Sequence, residues 1–559
     1  MRHFITSTFG LALIGAVIVW ASLPPLGLWP LAWIGPAFWA YLARQKNLQG
    51  RHPYLALWVV GFIYWTAIFY FLVFPHWATS FGLLALSFYQ AFYLPIFIGL
   101  VRVAVHRLRV SVVLASPVVL VGLELARAHL ITGVTMGNLG HSQYRWIELI
   151  QVSDLAGAYA VSFVVMLVAA SLARAMPYNN KSWTIIPLFP AAAVMAATLI
   201  YGHLRVYSDD ELDSRPFDAR VALIQGSIDS ELKHDPKRQQ KIQQQYVKLS
   251  KEAVNSYGSS TVPGGLDLIV WPETMFRSGL FTYDESASVP PSWKELQDRF
   301  KESLEENAIS SREPVCELAK ELGVPMIVGI DSSNCIGGIQ VGGDSLKYDV
   351  ENFNSAVFVS AAGKILGQYN KMHRVIFGEY VPFADHFPWL QRLTPLPGSL
   401  TAGKSAVSFD VNGLRYSPSI CYENVLPHVI RRQVNGVGQV DVLVNLTNDG
   451  WFKGSNELDL HLICAVFRAV ECRKPFIIAA NTGFSASIDG DGRILAQGPR
   501  RDTEVVFTEI RRDGRLSWYL MYGDWPAGVC LMACLMFAVV GIRARIVQRK
   551  GKKSAHENG

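Results

Sequence analysis

The sequence predicts a chain in two parts: a multi-pass α-helical membrane domain of about eight spans, and an extramembrane α/β domain carried between the last two of them. Two observations predict it. Of the 559 residues 50% are hydrophobic and 17% charged, and the apolar residues gather in runs of about 18–25, long enough to cross a hydrocarbon core of roughly 30 Å as helices. Between 205 and 520 the apolar runs shorten and are broken by Gly, Pro and Asp, the pattern of a layered α/β domain.

The long runs fall near 4–23, 26–43, 54–74, 80–101, 110–128, 156–176, 183–202 and 524–542. The first is read as an uncleaved helix rather than a signal peptide. Its basic region is only Arg2 and His3, no A-x-A site follows, and more spans come directly after it. Arg44, Lys46 and Arg51 lie in one loop, Arg102, Arg107 and Arg109 in another, and Arg174 and Lys181 in a third. Arg543, Arg545, Arg549, Lys550, Lys552 and Lys553 lie in the tail. All share one side if the N-terminus is cytoplasmic, so both termini are expected in the cytoplasm and the long segment outside it. The expected boundaries are 1–205 for the first seven spans, 206–520 for the extramembrane domain, and 521–559 for the last span and basic tail.

A net charge of +6, spread in short clusters between apolar runs, gives little support to nucleic-acid binding. Seven cysteines without C-x-x-C pairs argue against a disulfide framework and a zinc site, so mostly free thiols are expected. Within one span, Glu124 and Arg127 are three residues apart and can neutralise each other on one helical turn. They are either a structural pair, or an interfacial Arg, or a polar anchor for a lipid head group or the extramembrane domain.

In the extramembrane part, strands are expected at 220–226, 266–271, 325–330, 354–360, 441–447 and 476–481, with helices at 313–322 and 458–473 and a hairpin around Asp-Gly at 487–495. The polar stretch 279–312 is read as an insertion, either a solvated loop or a lid. Three polar residues stand where strand-like runs end: Glu273, Lys371 and Cys421. Side chains at strand ends project into one crevice in such domains, so the three could converge. Their types are complementary, since a thiol needs a base, and an ammonium both favours the thiolate and stabilises an oxyanion. A helical pattern from Asn424 onward would favour the thiolate further. Singly, each has an ordinary reading as a core thiol or a surface charge.

Together they sit in a wider pattern. WPET (271–274), YNKMHRVIFGEYVPF (369–383), SICYE (419–423), NDGWF (448–452) and RAVECRKPFIIAANTGFSASIDGDGRI (468–494) resemble, in order and spacing, the signature blocks of the carbon–nitrogen hydrolase (nitrilase) superfamily. With eight flanking spans the chain resembles its apolipoprotein N-acyltransferase branch over nearly its whole length. The resemblance implies an αββα sandwich, with Glu273 as general base, Lys371 as oxyanion support and Cys421 as nucleophile. It implies supporting roles for Glu379, Tyr422 and Glu423, and for Trp451 and Phe452 a part in shaping the lipid site. Met136 departs from the pattern, standing where an aromatic is expected.

The implied reaction passes an acyl chain from a membrane phospholipid, through a thioester on Cys421, to the α-amino group of a diacylglyceryl-cysteine lipoprotein, the last step of lipoprotein maturation. No cofactor or metal is implied. A monomer in the bacterial inner membrane with a periplasmic catalytic domain is expected. Two rivals are a membrane-tethered nitrilase-like amidase and a non-catalytic membrane scaffold. The intact Glu, Lys and Cys set counts against the second.

Overall fold

A computed structural model describes residues 7–178, 182–208, 211, 214–229, 236–261, 264–341, 345–384, 386–393 and 398–557. Arg2, His3, the start of the first expected span and Lys181 lie outside them. So do the side chains of Lys550, Lys552 and Lys553.

Every expected span is occupied by helix: α1 (Thr8–Ser22), α2 (Gly35–Arg44), α3 (Pro53–Ile68), α4 (Thr79–Gln90), α5 (Tyr93–His106), α6 (Val112–His129), α7 (Ala158–Ala175), α8 (Leu188–Arg205) and, after the α/β part, Trp525–Glu557. Among the described residues, five runs are long and apolar enough to cross a membrane: Thr79–His106, Val112–His129, Ala158–Ala175, Leu188–Arg205 and Trp525–Arg549. The others are shorter. The second expected span breaks because Pro30 starts a 3-10 turn, Trp29–Trp33, and Gly35-Pro36 restarts the helix. The last helix returns to the bundle at Gly122 of α6, where an added Cβ would fall 2.8 Å from the carbonyl oxygen of Cys530.

The α/β part is two stacked sheets. The first has the order β13 (Glu504–Ile510), β1 (Ala219–Gln225), β2 (Leu268–Val270), β4 (Met326–Val341), β5 (Ser345–Val359) and β6 (Ile365–Asn370), with β3 (Phe276–Tyr283) also paired to β4. The second runs β12 (Ile494–Gln497), β11 (Ala486–Ile488), β10 (Phe476–Ala480), β9 (Val442–Thr447), β8 (Leu414–Ile420) and β7 (Phe409–Val411). β8, β9 and β10 are parallel, so their C-terminal ends open on one edge. Val221, Leu223, Val270 and Phe358 from the first sheet meet Tyr416, Ile420, Val444 and Ile477 from the second in one core cluster. Buried on both faces, the central strands read as continuous apolar runs, which is why they were visible in the sequence.

Helices cover the outer faces. α9 (Pro236–Tyr257) and α10 (Gln297–Leu322) pack on the first sheet through Tyr246, Leu249, Val315 and Leu318. α11 (Pro427–Gly436) and α12 (Glu457–Cys472) cover the second. The reading of 279–312 as a loop or lid is overturned: β3 and α10 take up most of it. The helix expected at 313–322 is the end of α10; its first part was hidden because the apolar residues Phe300, Leu304 and Ala308 are thinly spaced among charges, yet they form one buried stripe. The expected strands 325–330 and 354–360 are parts of a much longer β4–β5 ribbon.

Every residue of α12 except Asp459 is buried. One of its faces lies on β9 and β10, and the opposite face lies on the helical bundle, so Leu443, Phe476, Ile463, Val466, Leu149 and Ile150 belong to a single core. Side chains buried in this way each contribute about 1.5–3 kcal/mol. Polar bonds set its position. Arg468 Nε lies 2.6 Å from Glu471 Oε2, the Glu471 carboxylate accepts from Ala158 N at 2.8 Å, and Arg473 meets Asp154 at 2.7 Å and Asp491 at 3.0 Å. Expected span residues Glu124 and Arg127 do not pair with each other. Glu124 accepts from Leu139 N at 2.9 Å, while Arg127 bonds Asn138 and lies 4.4 Å from the Trp65 ring centroid.

Arg473→Met removes the fully buried guanidinium that Asp154 and Asp491 share, leaving Asp154 to Arg205 and Asp491 to Arg493 and Arg515, and should destabilise the protein by about 3 kcal/mol, the low end for breaking a buried pair. Arg205→Met removes a partly exposed partner of the same Asp154 and should cost under about 1 kcal/mol. Unfolding in mixed detergent measures both, and equal losses would contradict the buried-network account.

Candidate active site

β2 runs into Trp271-Pro272-Glu273-Thr274. The Trp271 ring is fully buried and its Nε1 donates to Ser250 Oγ at 2.9 Å, which fixes where the strand stops. Gly329 on β4 lets this turn lie flat, since a Cβ there would fall 2.2 Å from the Pro272 carbonyl oxygen. Glu273 is 8% exposed. Its Oε1 accepts from Asn354 Nδ2 at 2.6 Å and its Oε2 from Asn448 N at 2.9 Å.

Lys371 follows β6 directly and is 2% exposed. Its ammonium lies 2.8 Å from Glu379 Oε1 and 3.7 Å from Glu273 Oε1. Burial alone would push it down, but Glu379, Glu273 and the neighbouring Cys421 outweigh burial and hold it above the usual lysine range, so it is charged. Glu379 is itself fixed by Val375 N at 2.8 Å and Asn354 Nδ2 at 3.2 Å.

Cys421 follows β8. Its φ is +49°, a left-handed backbone that non-glycine residues keep only where the surroundings enforce it, and a 3-10 turn, Cys421–Val425, begins with it. The helical start expected after Cys421 is thus this turn, followed by α11. Burial first, and then the Glu273 carboxylate, push the thiol well above its ordinary range, while Lys371 pulls it back only in part. The resting group is therefore the neutral thiol, next to a charged lysine.

Glu423 is fully buried and acts as a brace. Its carboxylate accepts from Ile420 N at 2.8 Å, from Met372 N and His373 N at 2.9 Å each, and from the Tyr369 hydroxyl at 2.8 Å. It thereby ties the strand bearing Cys421 to the loop bearing Lys371. Tyr422 points the other way and donates to Gly133 O at 2.6 Å, in the loop after α6. Phe452 packs edge-on against Phe71 at 5.3 Å, and Trp451 lies beside it in the turn Asp449–Phe452. Met136 is buried with Trp65, Leu426 and Leu460, in the apolar cluster that also touches Tyr422 and Phe452. Trp65 also lines a cavity of about 90 Å³ in the bundle, together with Tyr64, Phe97 and Arg127.

Glu273, Lys371, Glu379 and Cys421 therefore gather at one edge. Tyr422 and Phe452 reach from there to the bundle, Glu423 braces the site from within the α/β part, and Trp451 stands next to Phe452 in its turn. Sequence reasoning missed Asn354, which holds both carboxylates, and Asn445, Thr447, Asp449 and His461, which lie behind Cys421. Asn354 opened a run already read as a strand, and His461 sat in an apolar helical run. Neither stood out without its partners. Among the described residues, Asp449, Glu457 and His461 bring ligand-type atoms within 4.8 Å of one another. Asp449 and His461 are already hydrogen-bonded there, Thr447 donating to Asp449 at 2.7 Å and His461 Nδ1 lying 3.2 Å from the same oxygen.

Residues 15–171 match the family model of the apolipoprotein N-acyltransferase N-terminal domain, and residues 220–519 match that of the carbon-nitrogen hydrolases. An apolipoprotein N-acyltransferase of Geobacter metallireducens is 30% identical over 557 residues, covering 97% of this chain and 96% of the relative. One of Rhodopirellula baltica is 30% identical over 560 residues, covering 93% and 94%. Among solved structures, an amidase from Nesterenkonia sp. aligns at 16% identity with a TM-score of 0.35, covering 56% of this chain and 97% of its own. With the hydrolase family matched across more than half of the chain and relatives this similar from end to end, the chain belongs to the apolipoprotein N-acyltransferase family.

Proposed function

We propose that the protein transfers an acyl chain from a membrane phospholipid to the N-terminal α-amino group of a diacylglyceryl-cysteine lipoprotein, with Cys421 as the acyl carrier. The observation that carries the reading is the meeting of Glu273, Lys371, Glu379 and Cys421 at a sheet edge turned toward the helical bundle, in a chain of this family. Glu273 takes the Cys421 proton as the sulfur attacks the ester carbonyl. Lys371 and the Tyr422 N–H hold the oxyanion, and the lysophospholipid leaves with the Glu273 proton on its alcohol oxygen. The lipoprotein amine then attacks the thioester, and its proton passes through Glu273 to the departing Cys421 sulfur. Glu379 keeps Lys371 charged and in place, and Glu423 keeps its loop in place. Trp451, Phe452 and the aromatic wall of the bundle receive the chain. The site binds two lipid-anchored substrates, so it opens toward the bilayer and keeps water from the thioester.

In this reading all eight helical stretches cross the inner membrane of a bacterium, with domain limits at 205 and 520, the catalytic domain in the periplasm and both termini in the cytoplasm. The protein acts as a monomer without metal or organic cofactor. Neither rival explains an intact site fused to so many helices: a tether needs fewer, and a scaffold has no use for the set.

Intact-mass analysis after incubation with phospholipid should show an acyl adduct that hydroxylamine removes and that Cys421→Ala abolishes. The same adduct in that variant would sink the scheme. Lys371→Met should slow adduct formation roughly 10²–10³-fold. A second measurement tests the charge balance. Iodoacetamide labelling of the Cys421 peptide should stay slow at neutral pH and rise only above pH 9.0, the ordinary thiol value, because burial and Glu273 raise this thiol. Glu273→Gln removes a raising charge, so the labelling profile should move to lower pH while acyl transfer falls. A profile that stays or moves upward would contradict it.

A further inference from the structure

The hydrogen bonds behind Cys421 bear on the direction of one backbone N–H. Two side chains converge on the Cys421 carbonyl oxygen: His461 Nε2 at 3.2 Å and Asn445 Nδ2 at 3.2 Å. The opposite ring nitrogen of His461 lies 3.2 Å from Asp449 Oδ1, which also accepts from Thr447 Oγ1 at 2.7 Å. Asn445 and Thr447 are 0% exposed, Asp449 2% and His461 3%. Both imidazole nitrogens thus face acceptors, so both carry hydrogen. Burial would push the imidazolium down, but Asp449 and the Cys421 carbonyl outweigh it and hold the group above its usual range. The charged and titratable groups around it are Asp449 from the turn after β9, Glu273 from the end of β2, Cys421 from the end of β8 and Glu457 on its own helix. Thr447 lies beside Cys421 as well, and its hydroxyl hydrogen is given to Asp449.

A peptide unit is planar and trans, so the carbonyl of Cys421 and the N–H of Tyr422 point in opposite directions from one rigid plate. Holding the oxygen between two donors therefore fixes the line of that N–H. Without such a hold, a cysteine at φ +49° would relax toward ordinary backbone and turn the plate with it.

We propose that His461 is a positioning residue for acyl transfer: with Asn445 it pins the Cys421 carbonyl and thereby aims the Tyr422 N–H at the oxyanion, while Asp449 and Thr447 hold the imidazole. This rests on the reading of Cys421 as acyl carrier and the Tyr422 N–H as oxyanion donor. His461 does not touch the substrate. Its contribution appears only in the transition state, where the oxyanion needs its donor, and so it belongs to the rate constant rather than to lipid binding.

The test uses the full chain in nanodiscs of mixed phosphatidylethanolamine and phosphatidylglycerol, with acyl-thioester formation on Cys421 followed by intact mass at several phospholipid contents. His461→Leu should slow the saturated rate roughly 10²-fold, the effect of losing one oxyanion donor, with the half-saturating phospholipid content within about twofold of wild type. His461→Gln, which can still donate to the carbonyl, should recover about tenfold of that loss. A wild-type rate in His461→Leu, a loss confined to half-saturation, or a Gln variant no better than Leu would each overturn the proposal. A stoichiometric metal in the purified protein whose removal releases His461 Nδ1 would overturn it too. If His461→Leu does not fold, Asn445→Ala reads the same carbonyl and should slow the saturated rate about tenfold. An unchanged rate there overturns it. Failure of the wild-type protein to take up any acyl group overturns the acyl-carrier reading and this inference together. Normal uptake by the wild type with unaffected variants overturns this inference alone.

Discussion

The placement of helix α12 between the second sheet and the helical bundle is the constraint on which the rest of the structure depends. A helix buried on every side cannot leave a charge unpaired, because an uncompensated guanidinium or carboxylate in such a setting is strongly destabilising. Arg468 and Glu471 pair within the helix, and Arg473, just past its C-terminus, reaches Asp154 before α7 and Asp491 in the β11–β12 hairpin. Apolar packing alone would let the α/β part slide over the bundle at small cost. Directional bonds do not, so they set one register. At the other end of the same helix, Asn456 donates to the carbonyls of Pro24 and Ile68, and His461 reaches Cys421. One element thus joins Cys421 to the helical bundle.

Within that frame the site solves an electrostatic problem. A buried lysine needs an anion, and a buried carboxylate that must accept a proton cannot be locked into the same ion pair. The distances separate these duties. Glu379, at 2.8 Å, is the close partner of Lys371, whereas Glu273 stands at 3.7 Å and takes its hydrogen bonds from Asn354 and the Asn448 N–H. Lys371 thereby stays charged without Glu273 being committed to it. In the proposed reaction Glu273 receives the thiol proton. Asn354 Nδ2 donates to both carboxylates and bridges them.

How much of this was legible follows from which signals are local. β9 and β10 are apolar on both faces and could be read directly. β13, EVVFTEI, was not among the expected strands; it keeps one half-exposed face, so its burial is uneven along the run. The end of α10 was expected at 313–322, but its first part was missed because a stripe of Phe300, Leu304 and Ala308 becomes visible only once the sheet it covers is known. The apolar stretches of the membrane part were located, but Pro30 and Gly35-Pro36 break the second of them into a 3-10 turn and a short helix. In the site, Cys421, Glu273 and Lys371 stood out because each follows a strand-like run. Asn354 and His461 act through partners 81 and 40 residues away, a distance no local pattern records.

The fusion of the two halves follows from the chemistry required of a thioester. Such a bond is lost to water unless the amine arrives first, and a half-buried Cys421 at the edge of a free-standing sandwich would face solvent. Here the face beside it is closed by groups from both halves: Tyr422 bonded to Gly133 O, Phe452 against Phe71, and Met136 and Trp65 within the same apolar cluster. Neither half alone supplies this wall. The hydrolase part brings the reactive groups and the bundle brings the apolar boundary. The aromatic residue expected at Met136 is replaced by a flexible thioether side chain that fills the same buried space. What the wall requires there is apolar volume rather than a ring.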